Sequence, residues 1–176
     1  AQLGFVASLA VYDALGNIGS AGHQVHCKWP NDVLLNEKKV AGILMESQGG
    51  SGDKPPDWII LGMGLNVAWH PNDTEFPATS LRFEGWSITL DEMITAYTKS
   101  FLSWTSRWLE DGFAPIRKEW IWRCKGMGEQ IEVRLENETL IGIFEDMEED
   151  GALRLNVDGK THRITAGDIF FPTNRL

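Results

Sequence analysis

Apolar residues at Leu3, Val6, Leu9, Ala10 and Leu15 recur at the spacing of one helical face, and Gly16, Gly19 and Gly22 then end the pattern. The period shortens after that. Residues 24–28 and 33–35 read as short strands on either side of Trp29-Pro30-Asn31-Asp32, a turn-rich corner. A second turn at 36–39 leads into residues 40–47, a mostly apolar strand whose composition predicts burial. A Gly/Pro/Ser-rich loop over 48–57 precedes a second apolar strand, 58–67, also expected to be buried. Such β segments in succession suggest an antiparallel meander.

The second half carries clearer signals. Thr89-Leu90-Asp91-Glu92 has the form of a capping box. From it Leu90, Ile94, Tyr97, Phe101, Trp104 and Trp108 step by fours and threes as one apolar stripe that stops at Gly112. Pro115 can open another helix, with Trp120 and Ile121 facing inward. An aromatic stripe at this spacing is core packing, and no chemistry is assigned to it. Beyond Gly128, residues 130–135, 139–145, 152–157 and 161–164 alternate as strands, with turns at Asn137-Glu138, Glu149-Asp150-Gly151 and Asp158-Gly159. A run of tightly turned β-structure of this length suggests a small barrel.

Composition narrows the class. With 176 residues, 43% hydrophobic and 23% charged, the chain is ordinary globular material, enough for one core or for a core with a small satellite domain. Its net charge of −9 argues against a general nucleic-acid binder, which needs a basic face. Between Gly128 and Asp150 nine acids stand against Arg134 alone, a shift that places a domain boundary near 126–128 and reads most simply as a solvated face. No apolar run reaches the roughly 18 residues of a membrane span, and residues 1–15 carry Asp13 where a secretion leader would be uncharged. Cys27 and Cys124 have neither CxxC nor zinc spacing. A cytoplasmic location is the expectation.

Four features bear on chemistry. Lys28-Trp29-Pro30-Asn31-Asp32 delivers a lysine at a strand end beside a rigid turn bearing an amide and a carboxylate. Such a lysine can hold a phosphate or carboxylate as a point charge. Gly62-Met63-Gly64-Leu65-Asn66-Val67 looks like half a dinucleotide fingerprint, but no third glycine follows and Pro71 breaks the pattern. Two glycines within an apolar strand instead mean close approach of a ligand or of another chain segment. Gly42, within Lys39-Val40-Ala41-Gly42-Ile43, makes the same allowance. The fourth feature is negative: His23, His26, His70 and His162 show no metal spacing, and no Gly-x-Ser-x-Gly elbow, Walker loop or HExxH is present.

Together these pieces resemble the biotin protein ligases. The matching segments are Lys28-Trp29-Pro30-Asn31-Asp32, then Lys39-Val40-Ala41-Gly42-Ile43-Leu44-Met45-Glu46, Gly62-Met63-Gly64-Leu65-Asn66-Val67 and Pro77-Ala78-Thr79-Ser80-Leu81, in the family's order and spacing. Gly167-Asp168-Ile169 is similar to the closing motif of the family's C-terminal SH3-like domain, although Phe170-Phe171-Pro172 stands where Ser-Leu-Arg is usual. The resemblance implies an α+β fold, a biotin/lipoate ligase-like (class II synthetase-like) mixed sheet with helices. Residues 1–126 would be catalytic core and 127–176 a small SH3-like β-barrel.

It also implies a reaction: biotin and ATP, with Mg²⁺, give biotinyl-5′-adenylate, and the acyl group passes to a lysine of a biotin carboxyl carrier protein. Lys28 matches the catalytic lysine. Gly42, Gly62 and Gly64 match residues lining the ligand, and Asn66 matches an adenine contact. Asn31 and Asp32 support the lysine and its turn, with Asp32 also a candidate on the metal side, and Asp168 belongs to the C-terminal motif. No residue is assigned as a metal ligand. The family's Gly-Arg-Gly-Arg-type loop and the Ser/Thr segment before it belong upstream of the first helix and are not among these residues. The expectation is therefore a partial core that folds marginally and binds biotin poorly alone. A homodimer through an apolar strand such as 40–45 is a further expectation. The alternatives are a lipoate ligase of the same superfamily, or a non-catalytic relative that binds a carrier protein or small ligand.

Overall fold

The opening apolar pattern folds as helix α1 (Gln2–Ile18), which runs through Gly16 and closes with the Gly19 amide on the Leu15 carbonyl. The computed structural model describes residues 2–50 and 54–172, so residues 51–53 of the loop expected over 48–57 lie outside the described residues. Every residue from Gly4 to Val11 is buried. A helix apolar on all sides belongs inside a fold, and α1 is indeed packed on two faces.

One face meets a four-stranded sheet, β1 (Val25–Lys28), β2 (Asp32–Leu35), β3 (Lys38–Gln48) and β4 (Trp58–Leu65), a meander in the order β1-β2-β3-β4. Val33, Leu35, Val40, Ala41 and Ile43 pack there on Ala7, Val11 and Leu15 of the helix. Two expectations are corrected. Segment 58–67 is not buried: β4 lies at the edge with Trp58, Ile59 and Ile60 exposed. Segment 40–45 is an edge only in part: β2 pairs with β3 from Lys38 to Gly42, whereas Leu44 and Met45 pair with β4 alone. An apolar run shows that a strand is β-prone but not how many of its sides are covered.

Helix α2 (Leu90–Asp111) starts at the Thr89/Glu92 capping box, with both reciprocal hydrogen bonds made, and stops at Gly112, whose φ of +76° only glycine adopts easily. Its buried line is Met93, Ser100 and Trp104, whereas Leu90 and Ile94 of the expected stripe are exposed. The stripe is thus right in period but rotated in its first turns, where Met93 instead packs in the cluster under the sheet. Helix α3 (Phe113–Arg123) follows at once and buries Phe113, Ile116 and Trp120.

The remaining chain forms a five-stranded sheet of β5 (Gln130–Arg134), β6 (Thr139–Met147), β7 (Leu153–Val157), β8 (Lys160–Ile164) and β9 (Asp168–Phe170), in the order β8-β7-β6-β5-β9. Strand β9, three residues long, is too short to announce itself by periodicity. Every ladder in both sheets is antiparallel; the parallel pairings are two isolated bridges, Cys27–Cys124 and Lys39–Ala78. The acids between Gly128 and Asp150 face solvent in ion pairs, with Asp146 on Arg117, Glu145 and Glu148 on Arg154, and Asp150 on Arg163.

The second sheet does not stand apart. Its inward side chains Ile131, Val133, Phe144, Leu153 and Leu155 join one apolar cluster with Phe5, Leu9, Trp29, Phe113 and Trp120. One indole fixes this join, Trp29 Nε1 donating to the Gly151 carbonyl at 3.0 Å, while Trp120 Nε1 ties α3 to α1 by donating to Ser8 Oγ at 2.9 Å. Gly151 has φ +93°, and a Cβ on it would lie 2.4 Å from the Phe5 ring. Gly151→Ala therefore combines backbone strain with overpacking and is expected to cost about 2–3 kcal/mol. The measurement is urea unfolding: the midpoint falls with the slope unchanged.

Candidate active site

The site is a row of residues running straight across the first sheet. Register pairs Lys28 with Asp32, Asp32 with Gly42, and Gly42 with Gly64, so one residue from each of four strands lies side by side on one face. The row begins with charge and ends bare. It arises because Trp29, Pro30 and Asn31 form a three-residue connection, which sets Lys28 opposite Asp32; the Trp29–Pro30 peptide is cis. The Trp29 indole lies on the far side, buried in the core, and anchors the turn. Asn31 completes the corner by donating from Nδ2 to the Ile43 carbonyl at 2.6 Å, while the Ile43 amide returns a bond to the Asn31 carbonyl at 2.8 Å.

Lys28 is 3% exposed and Asp32 6%. Buried charges need partners, and these two meet at 3.1 Å between Nζ and Oδ2. The other carboxylate oxygen, Oδ1, is 2.6 Å from Lys39 Nζ. Lys39 reaches it through an irregularity in the β2–β3 register: Val33 pairs with Ala41 but Leu34 pairs with Lys39, leaving Val40 as the extra residue. Val40 and Ala41 are consecutive yet both buried, so the bulge flips the parity and puts Lys39 on the same face as Gly42. Two ammonium groups thus share one carboxylate. A surplus positive charge remains at the floor of the site, the condition for holding an anion.

The floor belongs to a cleft of about 470 Å³ whose lining includes Lys28, Asp32, Lys39, Gly42, Gly64, Asn66, Phe76, Asp168 and Phe170. At its bare end the glycines are not demanded by packing. A Cβ on Gly64 would come no closer than 3.9 Å to any heavy atom, and on Gly62 no closer than 3.8 Å. Gly62 sits one step along the same face, opposite Leu44, which is 63% exposed. Gly42 is tighter, since a Cβ there would press on the Lys39 stem at 3.1 Å.

Behind the row the segment after β4 is tied down. The Lys39 amide donates to the Pro77 carbonyl and the Thr79 amide to the Lys39 carbonyl. Asn66 Nδ2 donates to the Thr79 carbonyl at 2.9 Å. Glu84 accepts from Thr79 and Asn36 and lies near Lys38. Burial pushes its carboxyl up, but the hydrogen bonds and the lysine charge outweigh that and hold it below the ordinary carboxylate value.

Of the residues singled out in the sequence, the fold gathers Lys28, Asp32, Gly42, Gly64, Asn66 and Asp168 around this cleft. Asn31 borders a different cavity of about 270 Å³ beside Trp29 and Gly151. Asp32 has one lysine on each carboxylate oxygen. Among the described residues no three His, Cys, Asp or Glu side chains are placed to share a metal ion. Cys27 is buried, and burial pushes its thiol up to about 12, which makes it a packing residue. The sequence reading missed Lys39 as a partner, because a bulge is invisible in residue order. It also missed Phe76 and Phe170, which come from segments without periodic signal.

An antiparallel sheet with a cleft floored by two lysines, backed by helices and followed by a small β-domain, defines a biotin ligase-like α+β fold. Residues 1–122 match the model of the biotin/lipoate A/B protein ligase family, and residues 126–171 match that of the biotin protein ligase C terminal domain. The chain belongs to the biotin/lipoate A/B protein ligase family. It is 39% identical over 97% of its length to a biotin–[acetyl-CoA-carboxylase] ligase of Paracoccus denitrificans, of which it spans 73%. It is 33% identical to the bifunctional ligase/repressor BirA of Bacillus subtilis, and spans about half (52%) of that protein's length. The biotin protein ligase of Aquifex aeolicus in complex with biotin and ATP superposes with a TM-score of 0.76 at 25% identity, over 96% of this chain and 70% of the other. Among the described residues no helix is long and apolar enough to cross a membrane.

Removing the shared carboxylate tests the electrostatic account of the floor. Asp32→Ala leaves the Lys28 ammonium buried without a partner and is expected to cost about 3–5 kcal/mol, whereas Lys39→Ala, whose side chain is 41% exposed, costs under about 1 kcal/mol. Urea unfolding of both variants checks the contrast.

Proposed function

We propose that this chain carries the adenylate-binding face of a biotin protein ligase, with a catalytic core over residues 1–126 and a C-terminal domain over 127–176. The carrying observation is the row Lys28–Asp32–Gly42–Gly64, cationic at one end and sterically bare at the other. That layout suits a ligand with a phosphoryl group at one end and a flat apolar ring system at the other. The relatives' names supply its identity as biotin and ATP.

In the first step a biotin carboxylate oxygen forms a bond to the α-phosphorus of ATP and pyrophosphate leaves, giving biotinyl-5′-adenylate. Both reactants are anions and repel. Lys28, backed by Lys39, neutralises the encounter and stabilises the charge that builds on the α-phosphoryl oxygens. Asp32 holds both ammonium groups in place and is a positioning residue. Gly62 and Gly64 let the ligand lie on the strand backbone, and Asn66, anchored on Thr79, lines the cleft beside them. Mg²⁺, when bound, would neutralise the triphosphate, and Asp168, an exposed carboxylate on the cleft wall, would be one group able to hold it. In the second step the amine of a carrier-protein lysine attacks the acyl carbon, AMP leaves, and the amide sheds a proton. Biotin carboxyl carrier protein is the acceptor this reading implies, and the cytoplasm is the compartment.

Titration calorimetry of the chain with biotinyl-5′-adenylate, biotin and ATP tests this reading. The adenylate is expected to bind more tightly than either substrate. Lys28→Ala should weaken adenylate binding at least about tenfold, the loss of one charge-assisted contact. Gly64→Val should also weaken it while leaving the melting temperature nearly unchanged, because a Cβ there makes no contact tighter than 3.9 Å. Adenylate binding unaltered by both variants overturns the assignment. Binding without pyrophosphate release on addition of biotin and ATP favours the non-catalytic alternative.

A further inference from the structure

The ammonium of Lys28 is covered by an aromatic ring. Its Nζ lies 4.5 Å from the centroid of Phe76, in the segment between β4 and α2. With Asp32 on one side and this ring on another, the lysine has almost no contact with solvent although it lines a cleft. A cation held against an aromatic face is stabilised there, more so where water is excluded. The ring therefore occupies a place that an anion approaching Lys28 has to take.

Phe76 is in turn held by the second sheet. Its ring centroid is 6.3 Å from those of both Phe170 and Phe171, tilted on the first and edge-on to the second. The Arg134 guanidinium of β5 lies 3.8 Å from the centroid of the Phe170 ring and is ion-paired with Glu75, the neighbour of Phe76. The backbone of the segment has its own supports: Thr74 Oγ1 donates to the Phe76 carbonyl, Pro77 and Thr79 hydrogen-bond Lys39, and His70 meets Ser80. Between those anchors, Glu75 and Phe76 are fastened to the C-terminal sheet.

We propose that Phe76 is a gate on Lys28, an autoinhibitory cap latched to the C-terminal sheet by Phe170, Phe171 and the Glu75–Arg134 ion pair. This rests on reading Lys28 as the residue that meets the ligand's anion. The cap and an anionic ligand compete for one ammonium face, so ligand entry requires the ring to leave. Whatever holds the ring lowers the fraction of molecules ready to bind. The C-terminal sheet thereby controls a residue on the first sheet without contributing charge to it.

The test reads cover rather than catalysis, so it fails independently of the ligase reading. The whole chain is acetylated with an N-hydroxysuccinimide ester, and modification of Lys28 is followed by peptide mass spectrometry against exposed Lys99 and Lys118 as internal references. Phe76→Ala is expected to raise the Lys28 rate about tenfold relative to the references, and Phe76→Trp to return it to the parental value. Phe170→Ala and Glu75→Gln, remote from the ammonium, are expected to raise it about threefold by loosening the latch. Glu75 is exposed, so its variant keeps the test informative if an aromatic variant misfolds. An unchanged Lys28 rate in Phe76→Ala overturns the gate. A rise in Phe76→Ala with no change in Phe170→Ala and Glu75→Gln overturns the latch.

Discussion

A single buried carboxylate with two cations sets the terms for the rest of this molecule. Asp32 is the one acid in a row of paired residues, and the buried Lys28 ammonium depends on it, while the half-exposed Lys39 takes its second oxygen. The sharing leaves the site positive by about one charge while satisfying both ammonium groups. That is a different solution from a surface patch, where an anion would be held through water and screened by salt. Here the charge sits at the foot of a cleft walled by protein, where a unit charge acts more strongly.

The row also explains why the opening motif has the residues it has. Lysine and aspartate sit four apart because the three residues between them make the turn, and each of those has its own task. Trp29 drives the turn's back into the apolar cluster and reaches Gly151 of the second sheet, while Asn31 ties its front to β3. The charged pair is thus rigid from both sides. Rigidity of this kind lowers the reorganisation needed when charge develops on a ligand. A turn fastened on one side only would leave the ammonium free to follow solvent.

Much of this was legible in the sequence, and the illegible part has a common cause. Helix α1, the meander, the Thr89 capping box and the tightly turned strands after Gly128 all follow from periodicity and turn chemistry, which are local. The motif residues carried enough information to name a family. What residue order hides is parity and coverage. The bulge at Val40 turns Lys39 toward Asp32, and nothing in Lys39-Val40-Ala41-Gly42 marks it, since a regular strand would send Lys39 and Gly42 to opposite faces. Likewise Trp58, Ile59 and Ile60 read as core yet lie exposed on an edge strand. Coverage depends on which neighbours arrive, and those are set by the whole chain.

The two sheets are joined at two places with opposite characters, and the contrast indicates how the molecule divides its work. At Trp29 and Gly151 the join is apolar, buried and closed by an indole hydrogen bond, with no room for a side chain on Gly151. At Phe76 and Phe170 it is a looser meeting of rings at 6.3 Å between centroids, rimmed by an exposed ion pair. Exposed ion pairs contribute little and are screened by salt, whereas a packed indole is costly to displace. If the sheets shift at all, they do so about the first contact and at the expense of the second. The hinge end lies behind Lys28 and the yielding end lies in front of it. The ring contact at Phe76 is thus the weaker of the two joins, while the Asp32 row that holds Lys28 is fastened by the stronger one.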